Sequence, residues 1–224
     1  MAEKARRFQE MTAFEQELRR SGCLAVCGVD EAGRGPLAGP LVAAAVMSPW
    51  PCHWLGLNDS KTLTAKARDE WYEVIMSQAA SVGVGMVSAR RIDRIGLQRA
   101  NWEAMRSAVK NLSAFPDHVI VDGPGKIPGL SIPQTPLVGG DGRAISVAAA
   151  SVVAKVTRDR MMTRLDEEFP EYGFARHKGY GTPEHLSVLM TCGPCRIHRR
   201  SFQPVAVLAN REKVSNLAGP AAAV

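Results

Sequence analysis

The sequence predicts an α/β protein in which a mixed β-sheet is flanked by helices and followed by a C-terminal helical subdomain. Three kinds of pattern support this prediction: short apolar runs of strand length, longer stretches with helical spacing, and turns rich in glycine and proline. The 224 residues are 46% hydrophobic, which is enough to bury one core. We expect a helical extension over residues 1–20, an α/β domain over 21–172, a helical subdomain over 173–209 and a flexible tail over 210–224.

The first half of the chain predicts two helical regions and three strands. Residues 24–29 and 41–47 are apolar runs that the Gly/Pro-rich turn between them could pair antiparallel, and residues 81–88 alternate as a third strand. Thr62 or Thr64 can cap a helix that runs to about Ala80. The N-terminal helix over residues 4–20 is indicated by large apolar side chains at helical spacing, namely Phe8, Met11, Phe14 and Leu18.

The second half predicts one short strand between longer helices. Helical spacing covers residues 92–112 with a break near Gly96, and residues 118–121 form a buried strand. A loop rich in proline and glycine then leads to Asp141, and a long helix follows over about residues 144–169. Thr182 and Pro183 mark another helix start, because proline is favoured at the first helical position.

The charge balance favours a polyanionic partner. The chain has 28 Lys and Arg residues against 22 Asp and Glu residues, a formal net charge of +6, which excludes the acidic disordered class. The excess is uneven, since residues 173–203 carry one acid, Glu184, against five basic residues, which are Arg176, Lys178, Arg196, Arg199 and Arg200. This distribution indicates a basic, substrate-facing C-terminal segment.

The sequence also predicts where the protein is found and how its cysteines behave. It has no apolar run of membrane-spanning length and no signal-peptide core, so we expect a cytoplasmic protein with no membrane partner. We also expect a monomer. The C-G-P-C segment from Cys192 to Cys195 is the frame of thioredoxin-like redox sites, but no strand precedes it, and His198 alone is too few extra ligands for zinc. Reduced structural cysteines are the favoured interpretation, with a redox site as the alternative.

Carboxylates follow two of the predicted strands. Residues 24–29 lead into Asp30 and Glu31, residues 118–121 lead into Asp122, and a Gly/Pro turn follows each. If the strands are parallel in one sheet, these acids converge at one rim, and we expect Asp30 and Glu31 to share a target because the strand stops there. Any single acid at such a place is more often a turn former. Several together predict an all-oxygen site for Mg²⁺ or Mn²⁺ and phosphodiester chemistry with two ions.

Several motifs occur in an order that resembles one known family. They are VDEAGRGPLAGP at 29–40, LNDSK at 57–61, VDG at 121–123, AASVVAKVTRD at 149–159, HKGYGT at 177–182 and HRRSF at 198–202. Over about residues 24–208 the chain resembles ribonuclease HII, the type 2 bacterial ribonuclease H. The resemblance implies a ribonuclease H-like fold, with residues 21–172 as the catalytic domain and 173–209 as a substrate-binding subdomain.

The resemblance also implies the catalytic residues and the metal. The family's acidic positions, which both bind metal and act in catalysis, fall on Asp30, Glu31, Asp122 and Asp141, with two Mn²⁺ or Mg²⁺ ions as cofactors. Relatives usually carry Lys-Gly before the last of these acids, whereas Gly139 and Gly140 stand here. The positive charge of that lysine is therefore missing, and with it any contact it makes to phosphate.

The remaining residues that the resemblance implies concern the substrate. Gly33-Arg34-Gly35 would present backbone groups to the 2′-hydroxyl of a ribonucleotide, and Tyr180 would stack on the following deoxyribose. The positions proposed for phosphate contacts, for which an ordinary surface charge is the alternative, are Lys61, Lys178 and Arg199.

The implied activity is that of an endoribonuclease. It would cleave the RNA strand of RNA/DNA hybrids and nick duplex DNA 5′ of single embedded ribonucleotides, giving 3′-hydroxyl and 5′-phosphate ends. The alternatives are another metal-dependent polynucleotidyl transferase, such as a junction resolvase, and a non-catalytic nucleic-acid-binding module.

Overall fold

The structure is a computed structural model that describes residues 2–210, so nearly all of the predicted tail at 210–224 lies outside the described residues. The helices are α1 Ala2–Arg20, α2 Ala65–Gln78, α3 Ala89–Ile95, α4 Leu97–Lys110, α5 Ile145–Glu168, α6 Phe174–His177 and α7 Pro183–Cys192. The strands are β1 Val26–Ala32, β2 Leu41–Met47, β3 Ser81–Val87, β4 His118–Asp122 and β5 Gln134–Leu137. Within residues 2–210, none of the helices is long and apolar enough to span a membrane.

The predicted mixed sheet is confirmed. Its strand order is β3-β2-β1-β4-β5, with β2 antiparallel to both β1 and β3, and β4 parallel to both β1 and β5. Thr64 caps α2, Gly96 separates α3 from α4, and Thr182 caps α7, as the sequence predicts. The parallel pairing of β1 with β4 brings the two acid-ended strands side by side in the same direction.

Two expectations about the strands are wrong. Strand β1 does not stop before its acids, because Glu31 pairs with Ala43 and Ala32 with Val42 in the ladder to β2. The loop before Asp141 contains the short strand β5, which includes Pro136. Proline has no amide to donate to a ladder, and it is tolerated here because β5 lies at the sheet edge and pairs with β4.

Helices cover both faces of the sheet at close range. Helix α4 packs on one face and α5 on the other, and each helix contributes small buried side chains to its own core cluster, including Ala104 and Ala149. Gly28 of β1 lies directly beneath the first turn of α5, where a Cβ atom would overlap the backbone of Ser146 and Val147. This glycine therefore sets the distance between the central strand and α5.

The segment after α5 docks against the turn that joins β1 to β2. The amide of Leu37 donates to the Gly179 carbonyl at 2.8 Å, and the amide of Gly39 donates to the Ile197 carbonyl at 2.9 Å. Inside the segment, Tyr172 stacks on Phe174 with ring centroids 5.2 Å apart. The C-terminal segment is thus fixed to the turn that follows Asp30 and Glu31.

We predict that Gly28→Ala lowers the free energy of unfolding by about 3 kcal/mol, at the upper end for overpacking, because the overlapping atoms are backbone. Gly125→Ala is the matched control, since a Cβ atom there meets nothing within 4 Å, and its change should stay within about 0.5 kcal/mol. Urea unfolding monitored by circular dichroism measures both. Equal stabilities of the two variants would contradict the close approach of α5.

Candidate active site

Two carboxylates lie side by side at the carboxyl ends of β1 and β4. Val29 pairs with Val121 in the parallel ladder, so the next residues, Asp30 and Asp122, are neighbours on adjacent strands. Both follow the alternation of the strands toward the face that α5 covers. Asp30 accepts a hydrogen bond from the Glu31 amide at 2.7 Å, and Asp122 accepts one from the Gly140 amide at 2.8 Å.

Glu31 approaches the same rim from the other face of the sheet. Because β1 continues through it, its side chain points toward α4, next to Asn101, and the Arg34 guanidinium lies 3.5 Å from its carboxylate. Burial raises the pKa of Glu31, Arg34 opposes that rise, and the charge of Asp122 adds to it. Asp30 and Glu31 thus lie on opposite faces of β1, and both reach one region because they are close to the rim of the sheet. The strand does not end before them.

Asp141 reaches the site from the short 3₁₀ turn Gly140–Gly142, just before α5. It is buried, and the Lys61 ammonium lies 2.9 Å from its carboxylate. The positive charge that the sequence appeared to lack beside this acid is therefore supplied by a residue 80 positions earlier in the chain. Local sequence gives no signal for this pair, because only the fold brings the two segments together.

Each carboxyl group makes ionisation of its neighbours less favourable. Burial, followed by the charges of Glu31 and Asp122, raises the pKa of Asp30 well above its ordinary value. Burial also raises the pKa of Asp122, and the charge of Asp141 adds to it while Lys61 opposes it. Desolvated acids that repel one another are stabilised by a cation placed between them.

The donor set fits a hard divalent cation, although the side chains are not gathered around one point. Among residues 2–210, no three His, Cys, Asp or Glu side chains form a group that could hold a metal ion. The available ligands are carboxylate oxygens, which Mg²⁺ and Mn²⁺ prefer, and the pKa values of Asp30 and Asp122 are raised by burial and by neighbouring acids. An ion that used Asp141 would compete with Lys61 for that carboxylate.

A cleft of about 270 Å³ opens over Asp30, Glu31 and Asp122. Its wall includes the three residues of the Gly33–Gly35 turn and the half-exposed ring of Tyr180. Sequence reasoning also missed polar residues that line it, which are Ser60, Arg68, Ser151 and Lys155. Ser151 and Lys155 had a signal, since both lie in the 149–159 motif at a spacing of four, which places them on one face of α5.

The turn that carries Gly33 is held from below by two buried arginines. Arg199 donates to the carbonyls of Gly33 at 2.6 Å and of Arg34 at 2.9 Å. Arg158 donates to the carbonyls of Ala38 and Pro40, and its side chain fills the space that a Cβ atom on Gly33 would need. Gly33 also has a φ of +94°, a conformation that side chains rarely adopt.

The prediction that Arg199 contacts phosphate is wrong. Its side chain is fully buried, and its donors are used by carbonyl groups of the turn. Lys178 lies outside the acidic cleft, in a separate groove along α5, where its ammonium donates to Thr163 at 2.9 Å. Lys61 does line the cleft. Phosphate contacts by Lys61 and Lys178 stay predictions.

A chain of buried hydrogen bonds ends at the backbone of Tyr180. His185 Nδ1 lies 2.8 Å from the Tyr180 carbonyl, which can only accept, so Nδ1 donates and Nε2 accepts. His198 Nε2, at 3.0 Å, is then the donor to His185, and the Cys195 thiol donates to His198 Nδ1 at 3.1 Å. Burial and the neighbouring His185 lower the pKa of His198 to about 3, so the ring is neutral, as this series of hydrogen bonds requires.

The same contacts argue against redox chemistry at the C-G-P-C segment. Burial raises the pKa of Cys195 to about 11, whereas a redox-active cysteine needs a lowered pKa. All five cysteines are free thiols in the structure. Cys195 is therefore a structural hydrogen-bond donor. His177 is structural too, because its ring nitrogens bond to the Tyr172 carbonyl and the Gly179 amide.

The sequence comparisons with known proteins agree on one family. The family model described as Ribonuclease HII matches residues 27–205. A ribonuclease HII of Geotalea daltonii is 50% identical over 206 residues, which cover 92% of this chain and 93% of that protein. One of Bacillus cytotoxicus is 47% identical over 205 residues, covering 92% of this chain and 78% of that protein.

Solved structures with the same fold also match most of the chain. The ribonuclease H2 from Pyrococcus horikoshii superposes with a TM-score of 0.72 at 26% identity, covering 85% of this chain and 99% of that one. The ribonuclease HII of Archaeoglobus fulgidus, solved in complex with PCNA, superposes with a TM-score of 0.68 at 28% identity, covering 80% of this chain and 96% of that one. The mixed sheet with flanking helices is therefore a ribonuclease H-like fold.

We predict that Asp30→Asn stabilises the protein in metal-free buffer. Folding raises the pKa of Asp30, so the free energy of unfolding of the wild-type protein falls as pH rises from about 4. An uncharged Asn at this position does not cause that loss. The gain should be clearly larger at pH 7.5 than at pH 4.5. Urea unfolding in EDTA measures it. Asp69→Asn, at an exposed acid on α2, is the control, and an equal gain at both pH values would contradict the argument.

Proposed function

We propose a function that proceeds from the family of the chain: it belongs to the ribonuclease HII family, and is accordingly a metal-dependent ribonuclease H hydrolase, an endoribonuclease that acts on RNA/DNA hybrids. The proposal is that it also nicks duplex DNA on the 5′ side of single embedded ribonucleotides and serves ribonucleotide removal. The products are a 3′-hydroxyl and a 5′-phosphate. The observation that carries the proposal is one cleft in which Asp30 and Asp122 lie beside the Gly33–Gly35 turn and Tyr180.

The carboxylates are proposed to hold two divalent ions, Mn²⁺ or Mg²⁺. Asp30 and Asp122 are adjacent on one face of the sheet, Glu31 reaches the same rim from the other face, and Asp141 lies beside Asp122. Bound ions of this kind supply an activated water and stabilise the leaving oxygen in phosphodiester hydrolysis. The raised pKa values of these acids support a role as cation ligands.

Side chains around the acids are proposed to position the phosphate backbone. Lys61, Lys155 and Arg68 line the cleft and bring positive charge to its walls. Contacts of this type fix the register of a duplex and do not read its sequence. No histidine serves as a general base in this proposal, since His177 is buried and both ring nitrogens are engaged.

The ribose is proposed to be recognised by the turn and the tyrosine together. Arg199 binds the carbonyls of Gly33 and Arg34 from beneath, so the turn meets the substrate through its backbone amides. A Cβ atom on Gly35 would lie 3.8 Å from the Tyr180 ring, which places the turn and the ring against each other. A 2′-hydroxyl bound there is what distinguishes a ribonucleotide from a deoxyribonucleotide.

A duplex with one embedded ribonucleotide tests the proposal against the alternatives. We expect a single cut on the 5′ side of that ribonucleotide in Mn²⁺ or Mg²⁺, mapped by end labelling. Asp122→Asn should lower the cleavage rate by about 1,000-fold while binding is retained, because it removes a ligand and one repulsive charge. Asp69→Asn is the control. Survival of the duplex while branched DNA is cut would favour a junction-resolving enzyme, and unchanged function in Asp122→Asn would favour a binding module.

We predict that Tyr180→Ala lowers kcat/KM on the embedded ribonucleotide by about 100-fold, because the sugar loses the ring that positions it. Tyr180→Phe keeps the ring and loses the hydroxyl, so its loss should be nearer tenfold. Tyr72→Phe, on α2 away from the cleft, makes the same chemical change and should leave the rate unaltered. Steady-state kinetics provide the comparison, and a wild-type rate for Tyr180→Ala would remove the tyrosine from the site.

A further inference from the structure

Helix α1 lies outside residues 27–205, the part of the chain that the family model matches. Its inward face carries the buried residues Met11, Thr12 and Glu15. A carboxylate that is 1% exposed in the middle of an apolar helix face is costly unless it is hydrogen-bonded. What Glu15 binds therefore indicates why the helix has an acid at this position.

Glu15 caps the first turn of α5 from a distance of 131 residues in sequence. Its Oε1 accepts hydrogen bonds from the Ser146 amide at 2.9 Å and from the Ser146 hydroxyl at 2.7 Å. The residue at the N-cap position of α5 is Ala144, which has no side-chain acceptor, and the first turn of α5 contains no acid. Glu15 thus supplies the side-chain acceptor that the first turn of α5 lacks, while burial raises the pKa of its carboxyl group.

Arg7 holds the turn that carries Asp141. Its Nη2 donates to the Gly142 carbonyl at 2.6 Å, and the same nitrogen lies 3.5 Å from the side-chain oxygen of Asn58. Asn58 belongs to the loop that carries Lys61, the ion-pair partner of Asp141. Arg7 also lies 3.7 Å from Glu10 one turn along α1, which keeps its guanidinium close to the helix.

The Asp141 turn depends on such contacts because its own sequence is flexible. Glycines stand at positions 139, 140 and 142, and glycine has the largest backbone freedom to lose on folding. The turn is held on one side by the Gly140 amide bonded to Asp122 and on the other by Arg7 at Gly142. The start of α5, three residues after Gly142, is held by Glu15.

We propose that α1 is a part of the active site: Arg7 and Glu15 are positioning residues that hold the Asp141 turn and the adjoining end of α5. The inference rests on the proposed role of Asp141 in binding metal. Neither residue touches the substrate or the reacting atoms. Each acts through backbone groups on either side of Asp141.

Hydrogen exchange in the metal-free protein tests the inference without using activity. Arg7→Ala and Glu15→Ala should each raise exchange of the amides at 140–147 by about tenfold, since each removes a hydrogen bond that closes this segment. Glu15→Gln keeps a side-chain acceptor for Ser146 and should restore most of the protection. Arg6→Ala, at an exposed neighbour on the same helix, should change nothing.

Kinetics on an RNA/DNA hybrid separate positioning from general docking of the helix. Arg7→Ala and Glu15→Ala should lower kcat about tenfold with little change in KM, because Asp141 is displaced while the substrate contacts are intact. Met11→Ala removes a buried apolar side chain of α1 and leaves the hydrogen bonds of Arg7 and Glu15 in place, so it should lower the melting temperature and leave kcat at 25 °C unchanged.

The inference is overturned if Arg7→Ala and Glu15→Ala behave like Arg6→Ala in exchange, or if Met11→Ala lowers kcat as much as they do. Failure of the proposed function gives a different result. If Asp141→Asn retains full cleavage, the role of Asp141 is wrong, and exchange at residues 140–147 alone then decides whether α1 holds the turn.

Discussion

The placement of mutually repelling carboxylates on adjacent parallel strands is the constraint on which the rest of the structure depends. Asp30 and Asp122 are neighbours because β1 and β4 run in register, and burial raises the pKa of both. This arrangement opposes folding, so the surrounding packing must offset it. The sheet is covered on both faces, and α5 approaches β1 so closely at Gly28 that no side chain fits between them. The rigid frame keeps the acids together.

Positive charge is arranged around the acids at two depths. Arg158 and Arg199 are buried beneath the turn after β1, and their hydrogen-bond acceptors are carbonyl groups of that turn. Burial and the nearby Arg158 lower the pKa of Arg199 to about 9, so it still carries its charge at neutral pH. Lys61 and Lys155 lie at the wall of the cleft. In the proposed function the acids bind cations and the lysines at the wall of the cleft face phosphate, so a modest net charge of +6 suffices for a polyanionic substrate.

The sequence predicted those features that depend on local pattern. The second and third strands, the cap at Thr64 and the break at Gly96 each follow from a few neighbouring residues. The parallel pairing of β1 with β4 was a condition of the sequence argument, and only the fold supplies it. Strand β5 was not predicted, because four residues with a proline carry no periodic signal. The Lys61–Asp141 pair, the burial of Arg199 and the contacts of α1 link segments 51 to 166 residues apart, and local pattern holds no information on such distances.

In the proposed function, three glycine-rich segments supply the groups that face the substrate, and none of them has a strong conformational preference of its own. Each is fixed by hydrogen bonds from side chains outside it to its backbone, two of them from distant parts of the chain and the third from a residue five positions away. Arg199 binds the carbonyls of the Gly33–Gly35 turn, Arg7 binds the carbonyl of Gly142, and His185 binds the carbonyl of Tyr180. Glycine lets the backbone approach the substrate closely, but it leaves the shape of the cleft undetermined. That shape is therefore determined by Arg7 of α1 and by Arg199 and His185 of the C-terminal segment, which act through backbone groups. Substitutions far from the cleft should accordingly affect catalysis when they break one of these backbone contacts, and affect stability alone when they do not.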